Sequence, residues 1–149
     1  MTANQSPIYP LSPRVASADL TAVTACTSRA PQAHASMGSS PNYAVSLLAG
    51  GANGTRVDMI QVQASSTSIT AATAAQTVLI WMDNGTTAYV IDEIPISALT
   101  PSTTAAAYNL KRQYANLLVP NGYTLYASTT VTTTASTTAL VVTAFGGDY

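Results

Sequence analysis

The sequence predicts an all-β protein, a β-sandwich or jelly roll with an extended N-terminal arm. About six short apolar segments follow one another between residues 54 and 149, each with the length and composition of a strand. Asn-Gly and Pro-Asn-Gly sequences, which favour turns, separate several of these segments. No segment has a convincing long helix pattern, and the order of the strands does not follow from the sequence.

The N-terminal third has a different composition, and we predict that residues 1–53 form an arm outside a folded domain of residues 54–149. Proline removes a backbone donor and biases the residue before it toward extended conformations. Five prolines interrupt the arm, namely Pro7, Pro10, Pro13, Pro31 and Pro41. An alternating pattern predicts one short strand over residues 20–27, and the glycine-rich residues 50–54 predict a loop.

The first segment of the predicted domain, Thr55–Ala64, has the apolar pattern of a strand. Its alternation breaks at the neighbouring apolar residues Met59 and Ile60, which predicts a β-bulge. Residues 65–76 are rich in Ser, Thr and Ala and predict a loop. Their alanines leave a short helix as the alternative.

The dipeptide Asn84-Gly85 lies between two apolar runs within residues 77–96 and predicts a β-hairpin with a two-residue turn. In that register Asp83 pairs with Thr86, and both faces of the hairpin are apolar. An antiparallel sheet with one wet face is polar on that face. We therefore expect the core to cover one face, and a second layer or a neighbouring subunit to cover the other.

The C-terminal third predicts two further strands. Pro120-Asn121-Gly122 predicts a turn, because proline presets one central position and glycine adopts positive φ at the other. Residues 123–130 alternate between two sets of side chains, and residues 139–145 supply a final apolar run.

The composition predicts a surface that other subunits cover. Only 7% of the residues are charged, against about a quarter in a typical protein, and the net charge is −1. Net charge normally keeps soluble proteins apart. With 47% apolar residues the chain is expected to collapse rather than to stay disordered. An extracellular protein with a Ser/Thr-rich surface is the alternative interpretation.

Several classes of partner are not expected. The five basic residues do not form the cluster that nucleic acid binding requires. They are Arg14, Arg29, Arg56, Lys111 and Arg112. No run of apolar residues is long enough to span a membrane, and no signal peptide is recognisable at the N-terminus, so we expect synthesis in a cytosol. The single Cys26 predicts no intrachain disulfide and no cysteine-based zinc site.

The sequence predicts no catalytic, cofactor-binding or metal-binding residues, and we expect no enzymatic activity. His34 is the only histidine and lies in the predicted arm, where we interpret it as a solvated or interface residue. Asp92 and Glu93 adjoin on a predicted strand and so point to opposite faces, which does not suit a catalytic acid pair. The eight tyrosines are interpreted as sheet packing first, interface contacts second and carbohydrate contacts third.

Four segments of the predicted domain resemble the small structural proteins in the virions of tailed bacteriophages. They are Gly54-Thr55-Arg56-Val57, Trp81-Met82-Asp83-Asn84-Gly85 with Glu93-Ile94-Pro95-Ile96, and Leu118-Val119-Pro120-Asn121-Gly122-Tyr123-Thr124-Leu125-Tyr126-Ala127-Ser128. The resemblance covers residues 54–149. It implies a β-sandwich on a capsid lattice, often a trimer, that bridges subunits of the major capsid protein in the virion.

The resulting expectation is a capsid decoration, or cement, protein that is assembled with the head in the host cytoplasm. A tail, neck or head-fibre attachment protein and a carbohydrate-binding β-sandwich module are the alternatives. We expect partner contacts from the arm and from the hairpin. These contacts are Ile8, Tyr9, Leu11, Arg14 and Tyr43 in the arm, and Ile80, Met82 and Tyr89 in the hairpin.

Overall fold

The computed structural model of this chain describes residue 10 and residues 12–38, 43–66, 68, 70–135 and 138–149. These residues form nine strands and one 3-10 helix, His34–Ser36, so the predicted all-β fold is confirmed. The strands are β1 (Ser12–Leu20), β2 (Gln32–Ala33), β3 (Ala44–Ala49), β4 (Thr55–Ala64), β5 (Gln76–Asp83), β6 (Thr87–Ile96), β7 (Asn109–Val119), β8 (Thr124–Thr129) and β9 (Leu140–Asp148). Within these ranges no helix is long and apolar enough to cross a bilayer.

The strands form a sandwich of two antiparallel sheets. Sheet A has the order β1-β9-β4-β7, and sheet B has the order β2-β6-β5-β8-β3. Alternate residues of each strand point between the sheets, where Ile60 and Val142 of sheet A and Ile80 and Leu125 of sheet B are fully buried. Burying one such side chain contributes about 1.5–3 kcal/mol, which makes this layer the main source of stability.

The strand pairing is that of a jelly roll. Apart from the two-residue β2, the pairs are nested: β1 pairs with β9, β3 with β8, β4 with β7 and β5 with β6. The chain therefore forms one long antiparallel hairpin that is rolled so that successive pairs alternate between the two sheets.

The predicted boundary between an arm and a domain at residues 53 and 54 is wrong for the described residues. β1 pairs along its whole length with β9, and β3 pairs with β8. The predicted strand over residues 20–27 is also misplaced, because the strand ends at Leu20. Pro13 fits in β1 because this strand is at the edge of sheet A, where a missing N–H donor breaks no internal ladder.

The predicted hairpin exists, but its register differs from the expected one. Asp83 pairs with Ala88 instead of Thr86. The Asn84 Oδ1 accepts hydrogen bonds from the N–H groups of Thr86 at 3.0 Å and Thr87 at 2.8 Å. These bonds stabilise a wider connection than the two-residue turn, because an Asn side chain can replace a backbone acceptor.

The other C-terminal predictions agree with the structure. Tyr123 donates its N–H to the Pro120 carbonyl at 3.1 Å, and Gly122 has a φ of 80°, as the predicted turn requires. The strand β8 lies where its alternating pattern predicted it, and β9 begins at Leu140 as expected but continues to Asp148, three residues beyond the predicted run. The bulge predicted in β4 exists, but it lies between Val57 and Met59 instead of at Met59 and Ile60.

Residues 21–38, which we call the cover segment, pass from sheet A onto the outer face of sheet B. Cys26 and Met37 of this segment pack in one buried cluster with Leu79 and Trp81 of β5. The Cys26 N–H donates to the Thr129 carbonyl at 2.7 Å. The second apolar face of the hairpin is therefore covered by a second layer from the same chain.

Candidate assembly surface

The outer face of sheet A, which points away from sheet B, presents rows of side chains from four strands. Residues paired across neighbouring strands project from the same face, so the register defines these rows. The central row consists of Val15, Phe145, Met59 and Gln113. The other rows are Pro13, Gly147, Arg56 and Leu118; Ser17, Thr143, Gln61 and Lys111; and Asp19, Val141, Gln63 and Asn109.

This face carries an apolar surface that is open to solvent. Val15 is 62% exposed and Leu118 is 48% exposed. Phe145 and Met59 are partly exposed between them. Exposed apolar side chains on one face of a sheet are a feature of protein interaction sites. The outer face of sheet A is therefore the candidate functional surface.

One end of this face is shaped by Pro10. A Cβ atom added to Gly147 would lie 2.5 Å from the Cβ of Pro10, so the proline ring occupies the space that a side chain would fill. Beside it, Asn53, Arg56, Asn116, Leu118 and Tyr149 line an open groove of about 720 Å³.

The charges on this face are few and balanced. Arg56 and Asp58 form an ion pair, with 2.7 Å between Nε and Oδ1. Asp19 lies on β1 and Lys111 on β7, at opposite edges of the face, and neither belongs to an ion pair within the described part of the chain. The surface thus carries one unpaired charge of each sign.

The predicted contact residue Arg14 points into the end of the sandwich. Its Nη1 donates to both carboxylate oxygens of Asp148 at 3.0 Å, and Thr55 Oγ1 also donates to Asp148. The hydrogen bond from Thr55, followed by that from Arg14, lowers the pKa of the Asp148 carboxyl below its ordinary value. This cluster joins β1, β4 and β9.

Asp92 connects the two sheets. It accepts hydrogen bonds from Arg112 Nε and Nη2, both at 3.1 Å, and from the Tyr114 hydroxyl at 2.6 Å. Burial, and then the bond to Asp92, raise the pKa of Tyr114 well above its ordinary value. The neighbouring Glu93 instead pairs with Arg29 of the cover segment at 2.6 Å. The two acids point to opposite faces, as the sequence predicted.

His34 also has a structural partner. Its Nδ1 is hydrogen-bonded to Oδ2 of the buried Asp83, and the Asp83 Oδ1 accepts the N–H of Gly85 at 3.0 Å. The imidazole is half-exposed. The pair attaches the cover segment to the β5–β6 hairpin. Within the described residues no three His, Cys, Asp or Glu side chains are placed to hold a metal ion together.

The structure contradicts part of the predicted contact set. Ile80 is fully buried in the core and offers no surface to a partner. Tyr43 packs against the cluster under the cover segment, and Met82 packs against the main core. Tyr89 is 49% exposed. Ile8, Tyr9 and Leu11 lie outside the described residues.

Sequence reasoning missed the outer face of sheet A. Val15 was assigned to an arm, so no partner strand and no face followed from its position. The signal was present, because Arg14, Ala16, Ala18 and Leu20 alternate with the more polar or exposed positions of β1.

The fold and the exposed face define a jelly-roll sandwich with one self-covered and one open outer face. Comparison with protein-family models, with curated proteins and with solved structures gave no match.

Proposed function

We propose that this chain is a structural virion protein of the capsid decoration type, which binds the assembled bacteriophage head and stabilises it. The observation that carries the proposal is the pair of exposed apolar side chains on the outer face of sheet A, Val15 on β1 and Leu118 on β7. Burying such surface against another protein is favourable by about 25 cal/mol per Å² of apolar area. A subunit that functions by assembly makes use of this surface.

Two further observations support the proposal. Jelly rolls occur in viral capsid proteins, as well as in lectins and cupins, so the fold permits the role without selecting it. Arg56 and Leu118 come from two of the segments that resemble virion proteins, and they pair across β4 and β7 on the open face. Parts of two of the resembling segments therefore lie on the open face.

The proposed partners are the major capsid protein and further copies of this chain. A protein that binds only the assembled shell stabilises that shell by mass action. The exposed Tyr89 on β6 and the N-terminal residues Ile8 and Tyr9 are the proposed contacts with the capsid. With these residues on the capsid, the outer face of sheet A is free to bind another protein surface.

The experiment mixes the purified chain with heads of the phage that encodes it and measures bound copies per head after pelleting. We expect saturation at a number proportional to the capsid subunits, and heads that resist heating better when saturated. Binding of a few copies per particle would favour the tail, neck or head-fibre alternative. No binding to heads would overturn both.

The carbohydrate-binding alternative predicts that Trp81 or several tyrosines are exposed on one face. The Trp81 side chain is fully buried, and its Nε1 donates to Ser128 Oγ at 2.8 Å. We therefore do not propose glycan binding by the sheet B face that contains Trp81.

A further inference from the structure

We infer that the outer face of sheet A binds a second copy of this chain across a two-fold axis. The axis lies parallel to the strands and between β9 and β4, the two central strands of sheet A. The inference rests on the proposed assembly function and names the partner on that surface.

The register makes this arrangement self-complementary. Rotation about such an axis exchanges β9 with β4 and β1 with β7, while each row stays level with itself. Phe145 of each copy then lies over Met59 of the partner copy, and Val15 lies over Gln113 of the partner copy. Thioether sulfur packs favourably against aromatic rings. An isologous contact of this kind closes after two subunits.

The charges also match across the axis. Lys111 lies over the Ser17 position of the partner copy, one row from its Asp19. Arg56 faces Gly147, so no two like charges are opposed in these rows. The two unpaired charges of the face thus approach each other twice. Ion pairs at the rim of an interface mainly select partner and register.

The area is sufficient for a specific pair. Four strands at a spacing of about 4.8 Å and nine residues at about 3.3 Å each give a face of about 19 Å by about 30 Å. Two such faces bury about 1,100 Å² together, near the lower limit for specific interfaces. Pro10 fills the space above Gly147, so this end of the face can also contact the partner copy.

The competing surfaces are less suited to a second copy. The outer face of sheet B is covered by Cys26 and Met37 of the cover segment. The long edge strand β7 carries the adjacent charges Lys111 and Arg112, and charged residues oppose pairing between sheet edges. Sheet A therefore pairs through its face rather than through its β7 edge.

The first test is the mass of the full chain by sedimentation equilibrium. We expect twice the chain mass of 15.3 kDa at micromolar concentration. Val15→Asp should weaken pairing at least tenfold, because it buries an unpaired carboxylate. Val15 is largely exposed within one chain, so the fold should persist, as the emission of Trp81 reports. Ile91→Asp is the matched control, since Ile91 is 40% exposed on sheet B.

A charge exchange tests the register. Lys111→Asp should weaken pairing, and adding Asp19→Lys should restore it. A monomeric chain that still binds heads overturns this inference and leaves the proposed function standing. A mass of three chains, as the resemblance implies, also overturns the two-fold pair, as does a dimer that Val15→Asp does not weaken.

Discussion

Trp81 shows how a single buried polar atom is satisfied in this fold. It is the only tryptophan of the chain and is fully buried under the cover segment. Its indole N–H has one partner, the Ser128 hydroxyl on the neighbouring strand β8, at 2.8 Å. A buried donor without a partner costs about 1–3 kcal/mol.

Replacing Ser128 with Ala should therefore lower the free energy of unfolding by about 1–3 kcal/mol. The measurement is urea denaturation followed by the emission of Trp81. Ser66→Ala is the matched control, because it removes one exposed hydrogen bond, to the Ser68 carbonyl, and should change stability by less than about 0.5 kcal/mol. Equal losses in the two variants would show that the indole bond does not stabilise the fold.

The ionisation of Asp148 should make the free energy of unfolding depend on pH. Its pKa is lowered from 3.8 by Thr55 and Arg14, so its ionised form stabilises the folded state above about pH 4. That contribution is lost as the pH falls through the lowered folded pKa. We expect Asp148→Asn to be less stable than the native chain at about pH 7, and the difference to be smaller at about pH 2. Urea midpoints at both pH values provide the test, and a pH-independent difference would contradict it.

At the level of elements, local sequence patterns predicted the features that local sequence determines, namely strand bounds and the position of a hairpin. The bounds of β4 agree with its apolar pattern, and the hairpin connection contains Asn84 and Gly85. The prediction of the hairpin register was wrong because the side chain of Asn84 accepts hydrogen bonds from two backbone N–H groups. Composition does not reveal such bonds. Ile80 was assigned to a partner surface because both faces of its strand are apolar, and periodicity does not tell which face forms the core.

The contact with the β5–β6 hairpin should keep the cover segment closed over sheet B. His34→Ala removes the bond to buried Asp83, so the segment should open more often. The thiol of Cys26, which this segment buries against β5, should then react with a disulfide reagent about fivefold faster, which corresponds to a loss of about 1 kcal/mol. Lys111→Ala, on sheet A, is the control and should leave the rate unchanged. An unchanged rate in His34→Ala would mean that other contacts hold the segment.

At the level of the whole molecule, the N-terminal strands escaped prediction because their partners are distant in sequence. β1 pairs with β9, and Val15 and Phe145 are separated by most of the chain. Nested pairing of this kind has no local signature, whereas the β5–β6 hairpin has a turn sequence. The open face of sheet A, built from β1, β9, β4 and β7, could not be assembled without β1.

Two N-terminal deletions should therefore differ sharply in whether the remaining chain folds. Deleting residues 1–9 removes no described strand, and we expect a cooperative urea transition with the emission of Trp81 retained. Deleting residues 1–50 removes β1 and β3 with the core residues Leu20, Val23, Leu47 and Leu48. Their burial contributes about 6–12 kcal/mol, comparable to the whole stability of a typical domain of about 5–15 kcal/mol.

The longer deletion should consequently yield a chain without a cooperative transition, as circular dichroism and denaturation would show. The loss also leaves β9 and β8 as new unpaired edges of the two sheets, which favours aggregation. A folded, monomeric product of residues 51–149 would contradict the nested pairing and restore an independent C-terminal domain. Tests of capsid contact by the N-terminus should therefore use the shorter deletion, because it separates binding from folding.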